Sequence, residues 1–116
     1  MLTVYGIPNC QSVKKALALL TDRGVEHVFI NFKKTPLTSD QIASWLEKVP
    51  ASILVNRRGT SWRQLSDDEK AAAEGHESLL ALLVAKPTLI KRPIVEWPDG
   101  HVTTGLDAFL AEEALS

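Results

Sequence analysis

The chain contains one cysteine, Cys10, in the stretch Val4-Tyr5-Gly6-Ile7-Pro8-Asn9-Cys10-Gln11-Ser12-Val13-Lys14-Lys15. A short apolar run ends just before it, and a helical pattern starts just after. The first backbone N–H groups of a helix have no intrahelical acceptor, and the helix dipole adds partial positive charge, so this position favours an anion and suits a reactive thiolate. The competing reading is a small buried hydrophobe, the commonest fate of a free cysteine. A lone thiol forms no internal disulfide, so exchange chemistry here requires an outside thiol. Ser12 is close enough in sequence to donate a hydrogen bond to the sulfur, and Lys14 adds positive charge. His27, His76 and His101 are scattered without ligand spacing, so no metal site is expected.

The elements that must position Cys10 follow from the surrounding pattern. Leu2 to Tyr5 reads as a strand, stopped by Gly6 and Pro8. Asn9 is the expected N-cap of a helix whose apolar stripe is Val13, Leu17 and Leu20, with Arg23-Gly24 closing it. Glu26 to Phe32 alternates, which places Val28, Ile30 and Phe32 on one side of a second strand. Strand, helix and strand over about thirty residues make a βαβ unit with parallel strands.

A helical block follows, expected over residues 37–85. Thr38-Ser39-Asp40-Gln41 and Ser66-Asp67-Asp68-Glu69 are capping-box signatures, and Leu79, Leu80, Leu82 and Leu83 mark a third helix that ends at Lys86-Pro87. Asn56 to Arg63 reads as a basic loop, with Arg57, Arg58 and Arg63 around Trp62. The last third returns to strands, Ile94 to Trp97 and His101 to Thr104, joined by Pro98-Asp99-Gly100. Proline presets φ in such a turn and glycine accepts a positive φ. A final helix carries Leu106, Phe109 and Leu110. The expected fold is therefore α/β: β-α-β then β-β-α in a four-stranded mixed sheet, core residues 1–36 and 86–116, interrupted by an all-helical insertion.

The 116 residues suit one domain, able to bury a core without metal or disulfide staples. A formal net charge of −1 with no long run of one sign excludes a general electrostatic nucleic-acid binder. No basic leader and no apolar run of spanning length is present, so a cytoplasmic monomer without a membrane partner is expected.

A βαβ unit with a cysteine at its first strand-to-helix turn, then a ββα unit introduced by proline, resembles the thioredoxin fold. Three segments narrow the resemblance: Tyr5 to Ala16, Leu54 to Arg63, and Lys91-Arg92-Pro93-Ile94-Val95. Together they resemble the glutaredoxin-type arsenate reductase (ArsC) family, which also includes the regulator Spx, and within it the YffB-like branch of proposed glutathione-dependent thiol reductases. The resemblance covers essentially the whole chain.

It implies that Cys10 is the nucleophile, that Arg92 is a basic residue of the active site, and that Pro93 is a cis-proline facing the cysteine. It implies glutathione as co-substrate, with no metal. Glutathione carries two carboxylates, which makes Arg57, Arg58 and Arg63 candidate cations beside Lys14, with Asn9, Ser12 and Pro93 completing the binding set. The substrate would be a thiol, a disulfide or an oxyanion. Members that reduce arsenate carry two further arginines, and those positions here fall near Asn56 and Thr104. Spx-type members often place a second cysteine where this chain has Val13. The resemblance therefore points to a monothiol reductase. The alternatives are arsenate reduction proper and a non-catalytic, Spx-like regulator that binds RNA polymerase.

Overall fold

The computed structural model describes residues 1–112. In chain order the elements are β1 (Leu2–Gly6), α1 (Gln11–Asp22), β2 (His27–Asn31), α2 (Ser39–Lys48), α3 (Ala51–Leu54), α4 (Thr60–Arg63), α5 (Asp67–Ala72), α6 (His76–Ala85), a 3-10 turn at Pro87–Leu89, β3 (Ile94–Glu96), β4 (Val102–Thr104) and α7 (Leu106–Leu110). They form two units. One is Met1–Thr35 with the described residues from Arg92 on, and the other is Pro36–Lys91.

The first unit holds a mixed sheet in the order β2-β1-β3-β4. β1 runs parallel to β2 with Leu2 opposite His27 and Val4 opposite Phe29. It runs antiparallel to β3, with Val4 opposite Val95 and Tyr5 opposite Ile94. Alternation sends Leu2, Val4 and Val95 to one side, where they pack with Ala16 and Leu20 of α1, with Trp97, and with Phe109 of α7. Tyr5 is on the other side of β1 and donates its hydroxyl to Glu96 Oε1 at 3.0 Å. In the β3–β4 turn, Gly100 N–H reaches Trp97 O at 2.9 Å, and Gly100 has φ of 97°, the positive angle expected of it.

One sequence expectation changes here. The residue that caps α1 is Cys10, with extended φ −99° and ψ 123°, while Asn9 lies exposed in the preceding turn. On β2 the alternation is not uniform in burial: Phe29, paired with Val4, packs partly buried against the core, Val28 is 44% exposed, and Phe32 just past the strand is 2% exposed.

The helical unit is built on its caps. Thr38 Oγ1 accepts from Gln41 N–H at 3.2 Å and Gln41 Oε1 accepts from Thr38 N–H at 2.9 Å. Ser66 and Glu69 make the same reciprocal pair at 3.1 and 3.0 Å. Ile42 and Trp45 of α2 and Leu79, Leu80, Leu82 and Leu83 of α6 are buried. The expected block had three helices, whereas α3 and α4 add two single turns. The expectation also ended the block at residue 85. Residues 86–91 instead bond back to the end of α3: Asn56 N–H donates to Leu89 O and Lys91 N–H to Leu54 O, each at 2.8 Å. Val55 and Ile90 form an antiparallel bridge there. Among the described residues no helix is long and apolar enough to cross a membrane.

Candidate functional site

Cys10 stands between the end of β1 and the first turn of α1. Its N–H donates to Ile7 O at 3.4 Å, and its carbonyl accepts the first helical bond, from Lys14 N–H at 3.0 Å. The side chain makes no cap hydrogen bond, and the residue is partly exposed. The amides of Gln11, Ser12 and Val13 begin the helix without intrahelical acceptors. No acidic residue lies in that turn, so nothing on α1 opposes an anion at the cap. This geometry fits a thiol open to reagents better than a core hydrophobe.

Pro93 comes to the same end of the sheet. It lies one step beyond the Tyr5–Ile94 pair, across from Gly6, and the Arg92–Pro93 bond is cis. Pro93 O accepts from Gly105 N–H at 2.9 Å, which ties the start of β3 to the residue after β4. Arg92 is half-buried, and among the described residues its guanidinium meets no carboxylate or hydrogen-bond acceptor. Ser12 is half-buried but is not bonded to the Cys10 sulfur. Lys14 and Asn9 are exposed.

The other arginines belong to the helical unit and are not equivalent. Arg57 is committed: its Cζ stands 4.9 Å above the Trp62 ring and its Nη2 is 3.8 Å from Glu74 Oε1. Arg58 and Arg63 are exposed and have no side-chain partner among the described residues. Asn56 shapes this loop, since its Oδ1 accepts from Arg58 N–H at 3.2 Å. Thr104 is 3% exposed and pairs with Ile94 in the sheet. The two positions near which the resemblance would seek oxyanion-binding arginines thus hold a turn-forming amide and a buried hydroxyl.

A cavity of about 330 Å³ lies within the helical unit, between α2 and the start of α6, with Leu46, Glu47, Glu74 and Leu79 in its wall. It contains no thiol. Among the described residues no cluster of histidine, cysteine and carboxylate side chains could hold a metal ion. Sequence reasoning missed the Arg57–Trp62 stacking, for which an arginine five residues before a tryptophan in a loop gives no distinctive signal.

Comparison with known proteins decides the relationship. The model of the ArsC family matches residues 5–109. The chain belongs to the ArsC family. An uncharacterized protein of Haemophilus influenzae is 37% identical over 107 residues, covering 92% of each chain. Among solved structures, the YffB protein superposes with a TM-score of 0.86 at 30% identity, covering 100% of both chains. An arsenate reductase (ArsC) related protein from Brucella melitensis gives 0.73 at 36% identity, over 90% of this chain and 85% of that one. These neighbours make the mixed sheet and its helices a thioredoxin-like α/β fold. The three segments that carried the resemblance in the sequence lie within or at the edge of the matched range.

Proposed function

We propose that this ArsC-family chain is a monothiol, glutathione-linked thiol reductase with Cys10 as its nucleophile. The observation that carries the reading is the placement of the only thiol: the N-cap of α1, partly exposed, with no acidic residue in the first helical turn. Family membership and the likeness to an arsenate reductase related protein support an oxidoreductase over a plain binding domain.

In the proposed cycle, Cys10 thiolate attacks one sulfur of a glutathione mixed disulfide. The S–S bond breaks, the substrate leaves as a thiolate, and Cys10 keeps the glutathionyl group as a new disulfide. A second glutathione thiolate then attacks the glutathionyl sulfur. Glutathione disulfide departs and Cys10 returns as thiolate, so the net exchange turns one substrate–glutathione disulfide and one glutathione thiolate into one substrate thiolate and one glutathione disulfide. Val13 stands where an internal resolving thiol would be required, so the second step falls to the external thiol.

Arg92, which has no anionic partner among the described residues, is assigned to a carboxylate of the bound tripeptide, and Pro93 with Asn9 and Ser12 to its backbone. Lys14, on the same unit as Cys10, is a further candidate cation; in the helical unit Arg57 is already engaged by Trp62 and Glu74, and Arg58 and Arg63 have no side-chain partner among the described residues. With Asn56 and Thr104 at the two other positions, a disulfide is favoured over arsenate as substrate. The protein is proposed to work in the cytoplasm as a monomer.

The test is exposure of the full chain to glutathione disulfide, followed by intact-mass analysis and a turnover assay with reduced glutathione and a small mixed disulfide. One glutathionyl group on wild type, none on Cys10→Ser, and turnover only with wild type are expected. An unmodified wild-type chain would overturn the proposal. Arsenate-dependent oxidation of glutathione at a comparable rate would replace its substrate.

A further inference from the structure

His101 lies outside the thiol site, yet both of its ring nitrogens are engaged. Nδ1 contacts Asp99 Oδ1, and Nε2 is 2.6 Å from Glu112 Oε1. An ionised carboxylate only accepts hydrogen bonds, and a neutral imidazole has a single N–H. Two carboxylates at the two nitrogens therefore require both to be protonated, which makes the ring an imidazolium. That excludes His101 as a general base while the arrangement is intact.

The ring's orientation is also set. It stacks on Trp97 with centroids 5.6 Å apart and planes 5° from parallel. Trp97 is 4% exposed, donates Nε1–H to Thr103 Oγ1 at 3.0 Å and meets Phe109 of α7 at 5.8 Å. Asp99 is held as well, because its Oδ1 also accepts from His101 N–H at 3.1 Å. The cluster thus joins the β3–β4 turn to the residue that follows α7 by two positions.

We propose that His101 is a proton-operated clasp: as imidazolium it ties the β3–β4 turn to the end of α7 through Glu112, and on losing its proton it releases that end. The direction of the response follows from the charges. The hydrogen bond that the ring donates to Asp99, reinforced by the one to Glu112, raises the His101 pKa above its ordinary 6.5, although partial desolvation works against this. Asp99 is lowered in turn, chiefly by the backbone N–H of His101. A folded-state value raised above the unfolded one contributes stability in full below 6.5 and loses it as pH rises through the folded value. The clasp therefore opens toward alkaline pH.

Among the described residues, the other charged groups on neighbouring elements are Glu96 on β3, Asp107 on α7, and Lys14, Lys15 and Asp22 on α1. Glu96 accepts from Tyr5, and Asp107, Lys14, Lys15 and Asp22 make no bond to the imidazole. A protonated His101 with two carboxylates carries a net −1. Deprotonation leaves two carboxylates competing for one N–H, so one contact must fail.

The test is an NMR titration of the His101 ring in the full chain, with amide hydrogen exchange of residues 106–112 measured over the same pH series. The expected midpoint lies above 6.5 and moves down in Glu112→Gln. Protection of residues 109–112, corrected for intrinsic exchange, should fall several-fold as pH crosses the wild-type midpoint. In His101→Gln, which cannot be charged, it should be low throughout. Asp99→Asn risks disturbing the turn, so the Glu112 variant, which lies outside that turn, carries the decision. An unchanged midpoint in Glu112→Gln, or protection that stays flat across the titration, would overturn the clasp.

Discussion

Gly6 and Val13 approach so closely that the first turn of α1 leaves no room for a side chain at the end of β1. A Cβ on Gly6 would stand 2.6 Å from Val13 Cγ2 and 3.2 Å from Cγ1. Val13 is fully buried and β-branched, so it cannot swing aside. The contact fixes the spacing of the two elements that hold Cys10. It also fills, with a core methyl group, the position three residues after Cys10 where a second thiol would have to lie.

Gly6→Ala is accordingly expected to act as an overpacking mutation and to cost about 1–3 kcal/mol. Urea unfolding should show a lower midpoint with an unchanged slope. A midpoint equal to that of wild type would mean that the Gly6 to Cys10 loop absorbs the methyl without strain.

Much of this fold was legible because local signals agreed with one another. Both capping boxes, the βαβ pattern and the Pro98-Asp99-Gly100 turn each carry a mechanism that acts within a few residues, and each was found where it was expected. The failures have a common origin in contacts distant along the chain. The uneven burial along β2, with Val28 exposed, Phe29 partly buried and Phe32 buried, depends on what packs on each face of the strand. Residues 86–91 close on the end of α3 through bonds to Leu54 and Asn56, which the sequence does not announce. α3 and α4 are single turns, too short to show a period. At the candidate site, the position of Cys10 between β1 and α1 was legible from the local pattern and Arg92-Pro93 entered through the family resemblance, whereas the contact of Arg57 with Trp62 and the pairing of His101 with Glu112 required coordinates.

Arg92 offers a test of the proposed ligand site that is separable from stability. Its guanidinium has no bonded partner among the described residues, so the fold should depend on it little, and Arg92→Ala should change stability by no more than about 0.5 kcal/mol. The rate at which Cys10 acquires glutathione from its disulfide should fall several-fold, and Arg92→Lys should restore only part of it, because an ammonium lacks the bidentate fork. A full rate in Arg92→Ala would remove this residue from the site.

The arginines of the helical unit should separate into two kinds. Arg57 rests on Trp62 with a distant ion pair to Glu74, so Arg57→Ala is expected to lower stability by about 0.5–1 kcal/mol, the range of an exposed cation–π contact. Arg58→Ala should leave stability within about 0.5 kcal/mol of wild type. Thermal unfolding of the two variants side by side decides this, and equal losses would show that the Trp62 stacking contributes nothing.

Glu69 makes the acid response of the helical unit predictable. One oxygen closes the capping box with Ser66 N–H, and the other lies 2.7 Å from Lys86 Nζ. The hydrogen bond with Lys86, followed by the Ser66 N–H, lowers its pKa from 4.5 to about 2. A depressed carboxylate contributes stability that is present above its unfolded value and is lost as pH falls through its folded one. The window therefore runs from 4.5 down to about 2. Glu69→Gln keeps an oxygen for the cap but has no charge for Lys86 and no proton to gain. Its urea midpoint should lie below that of wild type at neutral pH, and the gap should shrink steadily between pH 4.5 and 2 as the wild-type carboxyl protonates. A gap that is the same at pH 7 and pH 2 would show that the Lys86 pair adds nothing beyond the cap.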